Sequence, residues 1–372
     1  MAANHWNGNI FFLVVSREIK AMKEMTSMER WDAAANHETP DYVPIALFGG
    51  IFEVHFVPGM DVVRFGRNGA NMGKAHIAYQ EAVGTDSGYC LSDMGLIVSG
   101  WGVRMKLPEA PNIWMALGKF PVQEPGDWEK LDVLDPKIDG RMHLYLDACE
   151  TWTKKYGDKI PIGVSLPSPF TTTTHVCSME NTLVHMMTEP DALRKGLKVI
   201  EQTVADFINE CIKSGAHYAG YLVTRASREI TTEEQYREFG APSDEYVYRH
   251  TPDIQHFCHI CGVEPMFNLV DEWSKKYKNV KGISWWDAGA KPNLKEAKEG
   301  WGKQLCLMTG IDHTNTFVNG STADVEAEIK RSCEIGMKGS GLILNPGCEI
   351  APHTPLANMK AAVKAARKYG KY

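Results

Sequence analysis

The sequence lacks the features that mark membrane, secreted and nucleic-acid-binding proteins. Its only candidate targeting segment, NIFFLVV at 9–15, is far shorter than the roughly 20 residues of a membrane span and has no preceding basic region or small-residue cleavage site. A net charge of −6 argues against general binding to nucleic acid or anionic membranes. Nine cysteines, an odd number spread over 372 residues, argue against a disulfide framework. We therefore expect a cytoplasmic protein with no membrane or nucleic-acid partner.

A glycine-rich dinucleotide fingerprint is also missing, since FGGIFEVHF at 48–56 contains no GxGxxG. What recurs instead is a short apolar run of β character followed by a longer helical stretch. The runs are YVPIALF (42–48), IPIGVSLPSPF (160–170), HYAGYLVT (217–224), HFCHIC (256–261), VKGISWW (280–286), KQLCLMTG (303–310) and SGLILNPG (340–347). Alternating strands and helices predict a parallel sheet covered on both faces. Seven or eight such units favour an α/β fold of the (β/α)8 TIM barrel type over an open sheet.

The chain is predicted to form one catalytic domain with an extension. Residues 41–372 are assigned to a single (β/α)8 barrel, and residues 1–40 to an N-terminal arm with helices packed on it. The region 50–150 is rich in Gly, Pro and Trp, and we interpret it as an insertion at the barrel mouth with one strand that is hard to place. The sequence leaves the oligomeric state open, a homo-oligomer included.

Metal-binding residue types follow four successive predicted strands. They are His259 and Cys261, then Asp287, then Asp312 with His313, and finally Cys348. Because barrel enzymes gather their chemistry at the C-terminal ends of the strands, these side chains are expected on one rim. One imidazole and two thiolates suit zinc, with a fourth position for water, a carboxylate or substrate. The alternative is that HxC is a buried strand end, as we expect for the core thiols Cys258 and Cys306.

Two C-terminal motifs carry a family resemblance. HICG at 259–262, followed by NPGCEIAPHTPLANMKAAVKAA at 345–366, resembles the uroporphyrinogen decarboxylase superfamily. Within it, the likeness is closest to the zinc-dependent methylcobamide:coenzyme M methyltransferases. The segments 167–197 and 225–242 also resemble that family, and the likeness spans residues 40–370. The C-terminal pair of motifs is specific, whereas the helical segments alone would not be.

The resemblance implies a metal, a partner and a reaction. It implies that Zn²⁺ is bound by His259, Cys261 and Cys348, and that a partner corrinoid protein supplies a methylcobamide. The implied enzyme moves a methyl group between cobalt and a small zinc-bound substrate. That methyl donor or acceptor is a thiol such as coenzyme M, or a methyl ether or phenol in an O-demethylase system.

The sequence departs from the family pattern around its presumed fourth ligand. The methyltransferases carry an exchangeable glutamate ligand where this chain has Trp286, and Asp287 follows one residue later. Asp287 is therefore a candidate catalytic residue and fourth ligand. Trp286 is a candidate substrate-binding residue, because tryptophan is frequent near the presumed mouth, where it suits an aromatic substrate or a corrin face. The other tryptophans there are Trp101, Trp114 and Trp285, and for most of the four the alternative is a large core side chain.

Further candidates flank the strand ends. Arg225 or Arg228 would anchor the sulfonate of coenzyme M, although surface charge is the commoner role of an arginine. His353 and Glu349, close to Cys348, would bind substrate or orient ligands. The alternative for both is a solvent-facing loop position, which the sequence favours for Glu349.

Two other functions remain as alternatives. A tetrapyrrole decarboxylase of the uroporphyrinogen type would use an aspartate in an SD pair to bind pyrrole N–H groups, and Asp93 in LSD makes it a second catalytic candidate. Against that function, PIALFGGIFEVHF at 44–56 lacks the arginines that such an enzyme needs to neutralise substrate carboxylates. The other alternative is a non-catalytic, zinc-stabilised corrinoid-binding subunit. Three protein ligands on zinc would indicate catalysis, and four would indicate a structural site.

Overall fold

The computed structural model describes residues 24–91, 93–106, 116–117 and 119–372, with only the backbone at 105–106 and 116–117. Residues 1–23 of the predicted arm at 1–40 lie outside the described residues, and so does Trp114. The strands are β1 (Gly88–Cys90), β2 (Met105–Lys106), β3 (Ala116–Leu117), β4 (Ile162–Pro167), β5 (Tyr218–Leu222), β6 (Gln255–His259), β7 (Val280–Ser284), β8 (Cys306–Ile311) and β9 (Leu342–Pro346). Seven of them form a parallel sheet in the order β1-β4-β5-β6-β7-β8-β9, and β2 and β3 form a separate antiparallel pair. The predicted parallel α/β architecture is therefore confirmed.

Helices separate the strands, as the sequence pattern predicts. They are α1 (Ser27–Ala35), α2 (Val62–Gly66), α3 (Gly69–Val83), α4 (His143–Tyr156), α5 (Pro169–Cys177), α6 (Met179–Thr188), α7 (Pro190–Lys213), α8 (Glu233–Phe239), α9 (Ala241–His250), α10 (Phe267–Lys276), α11 (Leu294–Gly300), α12 (Thr316–Asn319), α13 (Thr322–Gly336) and α14 (Leu356–Tyr369). Three 3₁₀ helices lie at Ile51–Phe56, Val98–Trp101 and Pro125–Lys130. Within the described residues, no helix is both long enough and apolar enough to span a bilayer.

The first predicted strand is a short bridging segment rather than a regular strand. Only Ile45 pairs with β9, at Leu344, and two backbone hydrogen bonds of 2.8 and 2.9 Å support this bridge. On the other side, the N–H of Asp86 donates to the carbonyl of Ile45 at 2.8 Å. Pro44 has no N–H, and the N–H of Ile45 is bound by the Asp86 side chain, so the ladder stops early. The segment nevertheless fills the gap between the two edge strands, where an eighth strand of the barrel would lie.

The region 50–150 is more regular than predicted. It contains β1, one of the seven parallel strands, together with the packed helices α3 and α4. Gly69 and Gly73 let α3 approach the α4 backbone closely, since a Cβ at either position would lie under 3 Å from a carbonyl oxygen of α4. Helices that pack through glycine show little apolar periodicity, and a three-residue strand shows almost none. The sequence therefore gives a weak signal here.

Helix α1 packs across the N-terminal ends of the strands. The ring of Trp31 stacks on Tyr218 at the start of β5, with 4.2 Å between the ring centroids. Asp32 accepts hydrogen bonds from the side chains of His217 and Gln255, next to the starts of β5 and β6. Because all seven strands of this sheet are parallel, their C-terminal ends lie together at the opposite pole of the sheet. That pole is where the candidate metal ligands are found.

Candidate metal centre

Three side chains, one from a strand end and two from loops, meet at the C-terminal ends of the strands. His259 is the last residue of β6, Cys261 lies in the loop after it, and Cys348 follows β9 by two residues. One ligand atom from each lies within 4.8 Å of the other two. Among the described residues, no other group of three His, Cys, Asp or Glu side chains meets this criterion. The three predicted ligands therefore lie close together, and their role in binding a metal stays a prediction.

Glycines following the ligand strands allow the close approach. Gly262 has φ +97°, a backbone conformation that side-chain-bearing residues rarely adopt, and it turns the chain directly after Cys261. Glu229 fixes this turn by accepting the N–H of Val263 at 2.6 Å. On the other loop, a Cβ at Gly347 would lie 2.4 Å from the Cα of Trp286, so only glycine lets the end of β9 approach the end of β7. Both positions explain why a glycine adjoins a ligand.

The imidazole of His259 is oriented by contacts on both ring nitrogens. Its Nε2 lies 3.1 Å from the sulfur of Cys261, and its Nδ1 lies 3.3 Å from the hydroxyl of Ser284 at the end of β7. Ser284 in turn lies 3.5 Å from Oδ1 of Asn345, whose amide group donates to the Ala46 carbonyl at 2.8 Å. Nε2 therefore faces the sulfurs, and the Ser284–Asn345 pair holds the ring from behind.

Ser284 is expected to tune metal affinity without binding the metal. In Ser284→Ala, the affinity for zinc should fall about 10- to 100-fold, the usual cost of losing a partner that orients a ligand. Competition with a chromogenic chelator would measure the change. Ser274→Ala is the matched control, because Ser274 lies on α10, away from the three candidate ligands, and its hydroxyl bonds to the Asp271 carbonyl and the Gln304 side chain. An unchanged affinity in Ser284→Ala would show that the ring needs no such support.

The two thiols affect each other's ionisation. A hydrogen bond from Cys348 lowers the pKa of Cys261 despite burial, and the positive charge of Arg225 lowers it further. The same hydrogen bond, together with burial, raises the pKa of Cys348 far above its ordinary value. The hydrogen bond therefore favours the thiolate at Cys261 over the thiolate at Cys348. A divalent cation would remove this conflict, because it favours both thiolates at once.

The three candidate ligands His259, Cys261 and Cys348, the metal group, border a cavity of about 70 Å³ inside the barrel mouth. Its walls are mainly apolar, with a few hydroxyl and acidic groups. It is lined by Phe48, Tyr89, Leu91, Asp93, Met94, Ser165, Gly220, Leu222, Thr224, Phe257, His259, Cys261, Ser284, Met308, Cys348 and Glu349. The rings of Phe48 and Tyr89 stack with 3.9 Å between their centroids and form one flat wall. This volume exceeds the roughly 10–15 Å³ required by one water molecule but is far below that of a drug-sized pocket.

Two acidic residues line this cavity. Asp93 is buried, accepts the N–H of Gly95 at 2.9 Å, and forms an ion pair with Arg141. Glu349 also faces the cavity, so the expectation of a solvent-facing position was wrong. Burial raises the pKa of Glu349 well above its ordinary value, and the adjacent Cys348 sulfur adds to the rise. The chain direction after a strand end cannot be derived from sequence periodicity, which explains the error.

Asp287 and Trp286 point away from the ligand atoms. Asp287 accepts hydrogen bonds from the Thr309 hydroxyl at 2.7 Å and the Gly310 N–H at 3.2 Å, which ties the loop after β7 to β8. The Trp286 indole donates to Asp312 at 3.1 Å and is not among the described residues that line the cavity. The structure therefore places neither side chain with the metal group, and their predicted roles remain untested.

Trp285 and Trp101 also lie away from the cavity. Trp285 is fully buried and packs edge-on against Phe267, with ring centroids 4.9 Å apart. Trp101 donates its indole N–H to the carbonyl of Asp132 at 2.8 Å in a separate surface groove. Trp285 is thus a core side chain, which was the alternative given for most of this set.

The predicted anchors for a substrate anion lie outside the cavity lining. Arg225 donates Nε and Nη2 to the Thr174 hydroxyl at 3.3 and 2.9 Å, and Arg228 pairs with Glu233 at 2.7 Å on the surface. His353 is exposed and lines a second groove, which shares Cys348 and Glu349 with the inner cavity. The metal group is therefore bordered by two spaces, one inside the barrel mouth and one outside it.

Comparison with known proteins identifies the family of the chain and several relatives. The family model described as uroporphyrinogen decarboxylase (URO-D) matches residues 26–369. Methylcobamide:CoM methyltransferase MtaA of Methanosarcina barkeri is 24% identical over 360 residues, which cover 94% of this chain and 99% of that protein. A uroporphyrinogen decarboxylase of Chlorobaculum tepidum is 20% identical over 297 residues, 76% of this chain and 80% of that protein.

A solved structure of a methyltransferase from Methanosarcina mazei has a similar fold. It superposes with a TM-score of 0.83 at 23% identity, covering 93% of this chain and 99% of that chain. The resemblance read from the two C-terminal motifs is confirmed, because the family model spans both of them. The chain belongs to the uroporphyrinogen decarboxylase (URO-D) family.

Proposed function

We propose that the chain is a zinc-dependent methyltransferase that moves a methyl group between the cobalt of a partner corrinoid protein and a small substrate. One observation carries the proposal: one imidazole and two thiols, held at the ends of β6 and β9, lie within 4.8 Å of one another beside a small cavity at the C-terminal end of the barrel. The similarity to methylcobamide:CoM methyltransferases supports both the reaction type and the corrinoid partner.

The donor set fits zinc. His259, Cys261 and Cys348 supply one nitrogen and two sulfurs, a set that leaves the fourth position of a tetrahedral ion for an exchangeable ligand. When bound, zinc would act as a Lewis acid that holds the substrate heteroatom and favours a thiolate near neutral pH. The chain's own contribution is to orient the imidazole through Ser284 and to keep bulk water from the substrate with the apolar wall.

The inner cavity and the outer groove beside the ligands suggest separate sites for the two reactants. The inner cavity of about 70 Å³ is far too small for a corrin ring, so the ring stays outside it. The outer groove includes His313, Asn319 and His353 and opens to the surface next to Cys348. We assign the small substrate to the inner cavity and the approach of the corrinoid protein to the outer side. In this arrangement the barrel positions the two reactants on either side of the transferred methyl group.

The alternatives account for fewer observations. Asp93 lines the cavity, as a decarboxylase would require, but Arg141 already neutralises it. No lysine or arginine is among the described lining residues, whereas a substrate with many carboxylates needs several cations. A purely structural zinc site would have four protein ligands, and the described residues bring together three.

A direct test follows methyl transfer from methylcobalamin by its absorbance spectrum. The zinc-loaded protein is mixed with methylcobalamin and small thiols, and the loss of the methyl-cobalt absorbance is recorded with and without prior removal of zinc. We expect demethylation that requires zinc and is lost in His259→Ala. Zinc-independent demethylation of methylcobalamin would contradict the proposal. So would a failure of the zinc-loaded protein in both directions, with no methyl transfer from methylcobalamin to a thiol and none from an aryl methyl ether to Co(I).

Zinc binding should release protons from the thiols. Because the pKa of Cys348 lies above neutrality and that of Cys261 is lowered, between one and two protons leave per zinc at pH 7. Zinc affinity should consequently rise with pH and fall by about 10- to 100-fold per unit as the pH is lowered below neutral. A pH indicator in weakly buffered solution would count the protons. Release of less than one proton per zinc would show that the sulfurs are not the ligands.

A further inference from the structure

The residues that line the inner cavity indicate which charge its ligand can carry. Seven of them have aromatic, aliphatic or thioether side chains, namely Phe48, Tyr89, Leu91, Met94, Leu222, Phe257 and Met308. Among the described lining residues, the ionisable side chains apart from the three metal ligands and Tyr89 are Asp93 and Glu349, and both are acids. The surface that a substrate would contact therefore offers no positive charge in the part of the chain that the structure describes.

We propose that the substrate held in this cavity is a small, uncharged molecule with an apolar body, and that anionic substrates such as sulfonates are excluded. The inference rests on the proposed function, because it takes the cavity to be where the substrate heteroatom meets the metal. The shared chemistry is an uncharged sulfur or oxygen atom attached to an apolar group. A thiol and an aryl methyl ether both have this chemistry, and binding of matched ligand pairs distinguishes them.

Two arginines lie close to the site, and each is already engaged by a protein group. Arg141 forms an ion pair with Asp93, so its charge is compensated. Arg225 lies outside the lining, donates two hydrogen bonds to Thr174, and interacts electrostatically with the Cys261 sulfur. An anion entering the cavity would lose its hydration without gaining a partner, which costs several kcal/mol for a charged group.

The metal group itself would not supply the missing charge. A divalent ion with the two thiolates of Cys261 and Cys348 and a neutral imidazole has no net charge. A thiolate substrate would make the whole group negative. A second negative charge on the same small molecule would then be repelled at close range, whereas an apolar group would pack against the Phe48–Tyr89 wall.

Matched pairs of ligands would test the proposal by binding alone. Isothermal titration calorimetry on the zinc-loaded, full-length protein would compare ethanethiol with 2-mercaptoethanesulfonate, and anisole with 4-methoxybenzenesulfonate. We expect the neutral member of at least one pair to bind roughly tenfold or more tightly than its sulfonate, because the unpaired sulfonate pays for its desolvation. The pair with the tighter neutral member identifies sulfur or oxygen as the bound atom.

A charge introduced into the lining should reverse the preference. Met94→Lys places an ammonium group at the cavity and should raise the affinity for the sulfonates relative to their neutral partners by about tenfold. Met187→Lys is the matched control, because Met187 is 76% exposed on α6 and outside the cavity lining, and its ratios should stay at the wild-type values.

Two kinds of failure are separated by the zinc content of the same samples. Stoichiometric zinc with equal or tighter binding of the sulfonates, or with no binding of either neutral probe at millimolar concentration, would overturn the neutral-substrate proposal and leave the proposed function intact. Failure to bind zinc would instead overturn the proposed function and, with it, the assignment of this cavity to a metal-bound substrate.

Discussion

Cys348→Ala is expected to lower the affinity for zinc by more than about 100-fold. Loss of a residue that only orients a ligand already lowers metal affinity about 10- to 100-fold, and this variant loses a ligand itself. Two of the three donor atoms would remain, His259 Nε2 and Cys261 Sγ, at 3.1 Å from each other. A pair of ligands cannot hold the ion in competition with a chelator of moderate strength. Methyl transfer should fall with the loss of metal, because the substrate heteroatom would have no partner at the end of the barrel.

Cys333→Ala serves as the control for this substitution. Cys333 is a buried thiol on α13 and is not one of the three ligands, so the variant removes a sulfur from the chain without changing the metal group. Zinc content measured by elemental analysis should remain at one equivalent in Cys333→Ala and fall to nearly zero in Cys348→Ala after dialysis against chelator. Full zinc retention in Cys348→Ala would exclude this residue as a ligand.

Asp86→Ala should reduce the free energy of unfolding by about 3–5 kcal/mol, the typical cost of leaving a buried charge without its partner. The fully buried Asp86 carboxylate accepts from Arg30 at 2.6 Å, Arg367 at 2.7 Å and the N–H of Ile45 at 2.9 Å. It thereby joins α1, α14 and the segment that bridges the two edges of the sheet. The Arg30 side chain is 7% exposed and would lose one of its two carboxylate partners.

Urea denaturation followed by tryptophan fluorescence would measure this change. Glu150→Ala is the control, because its ion pair with Lys154 is exposed and should contribute no more than about 0.5 kcal/mol. Asp86 precedes β1 and so lies at the N-terminal pole of the parallel sheet, away from the metal group. The folded fraction of Asp86→Ala should therefore bind zinc normally. An unfolding free energy within 1 kcal/mol of wild type would mean that the two arginines find other partners.

The position of the candidate ligands could be predicted from the sequence, because apolar runs typical of strands mark it. His259 lies at the end of one such strand and Cys348 follows another. A parallel barrel places the C-terminal ends of all its strands on one rim. The glycines of the two motifs could also be seen in the sequence, but the reason that each position requires glycine is visible only in the structure. Gly262 supplies a left-handed turn, and Gly347 supplies a close contact with Trp286.

The orientation of side chains beyond the strand ends could not be predicted. Alternation along a strand fixes which face a residue occupies only while the strand continues. Asp287 lies three residues past β7, and there its carboxylate turns to Thr309 and Gly310 instead of the ligands. Glu349, which periodicity cannot place, turns inward. Contacts between distant segments decide both cases, and these contacts are not encoded in the local pattern.

The first part of the barrel was also hard to predict, for a different reason. The bridging segment at 44–46 makes few ladder bonds, because Pro44 lacks a donor and a side chain of Asp86 takes the N–H of Ile45. Strand β1 is only three residues long. Such elements are stabilised by the strands on either side of them, so their own sequence carries little information about them.

Zinc K-edge X-ray absorption of the purified protein, before and after addition of ethanethiol, would show whether zinc is bound by one imidazole and two thiolates with an exchangeable fourth ligand. We expect two sulfur neighbours at about 2.3 Å and one imidazole nitrogen at about 2.0–2.1 Å, with a light atom in the fourth position. Ethanethiol should replace that light atom and raise the number of sulfurs to three. Fewer than two sulfurs in the resting protein, or a fourth ligand that the thiol never displaces, would contradict this expectation.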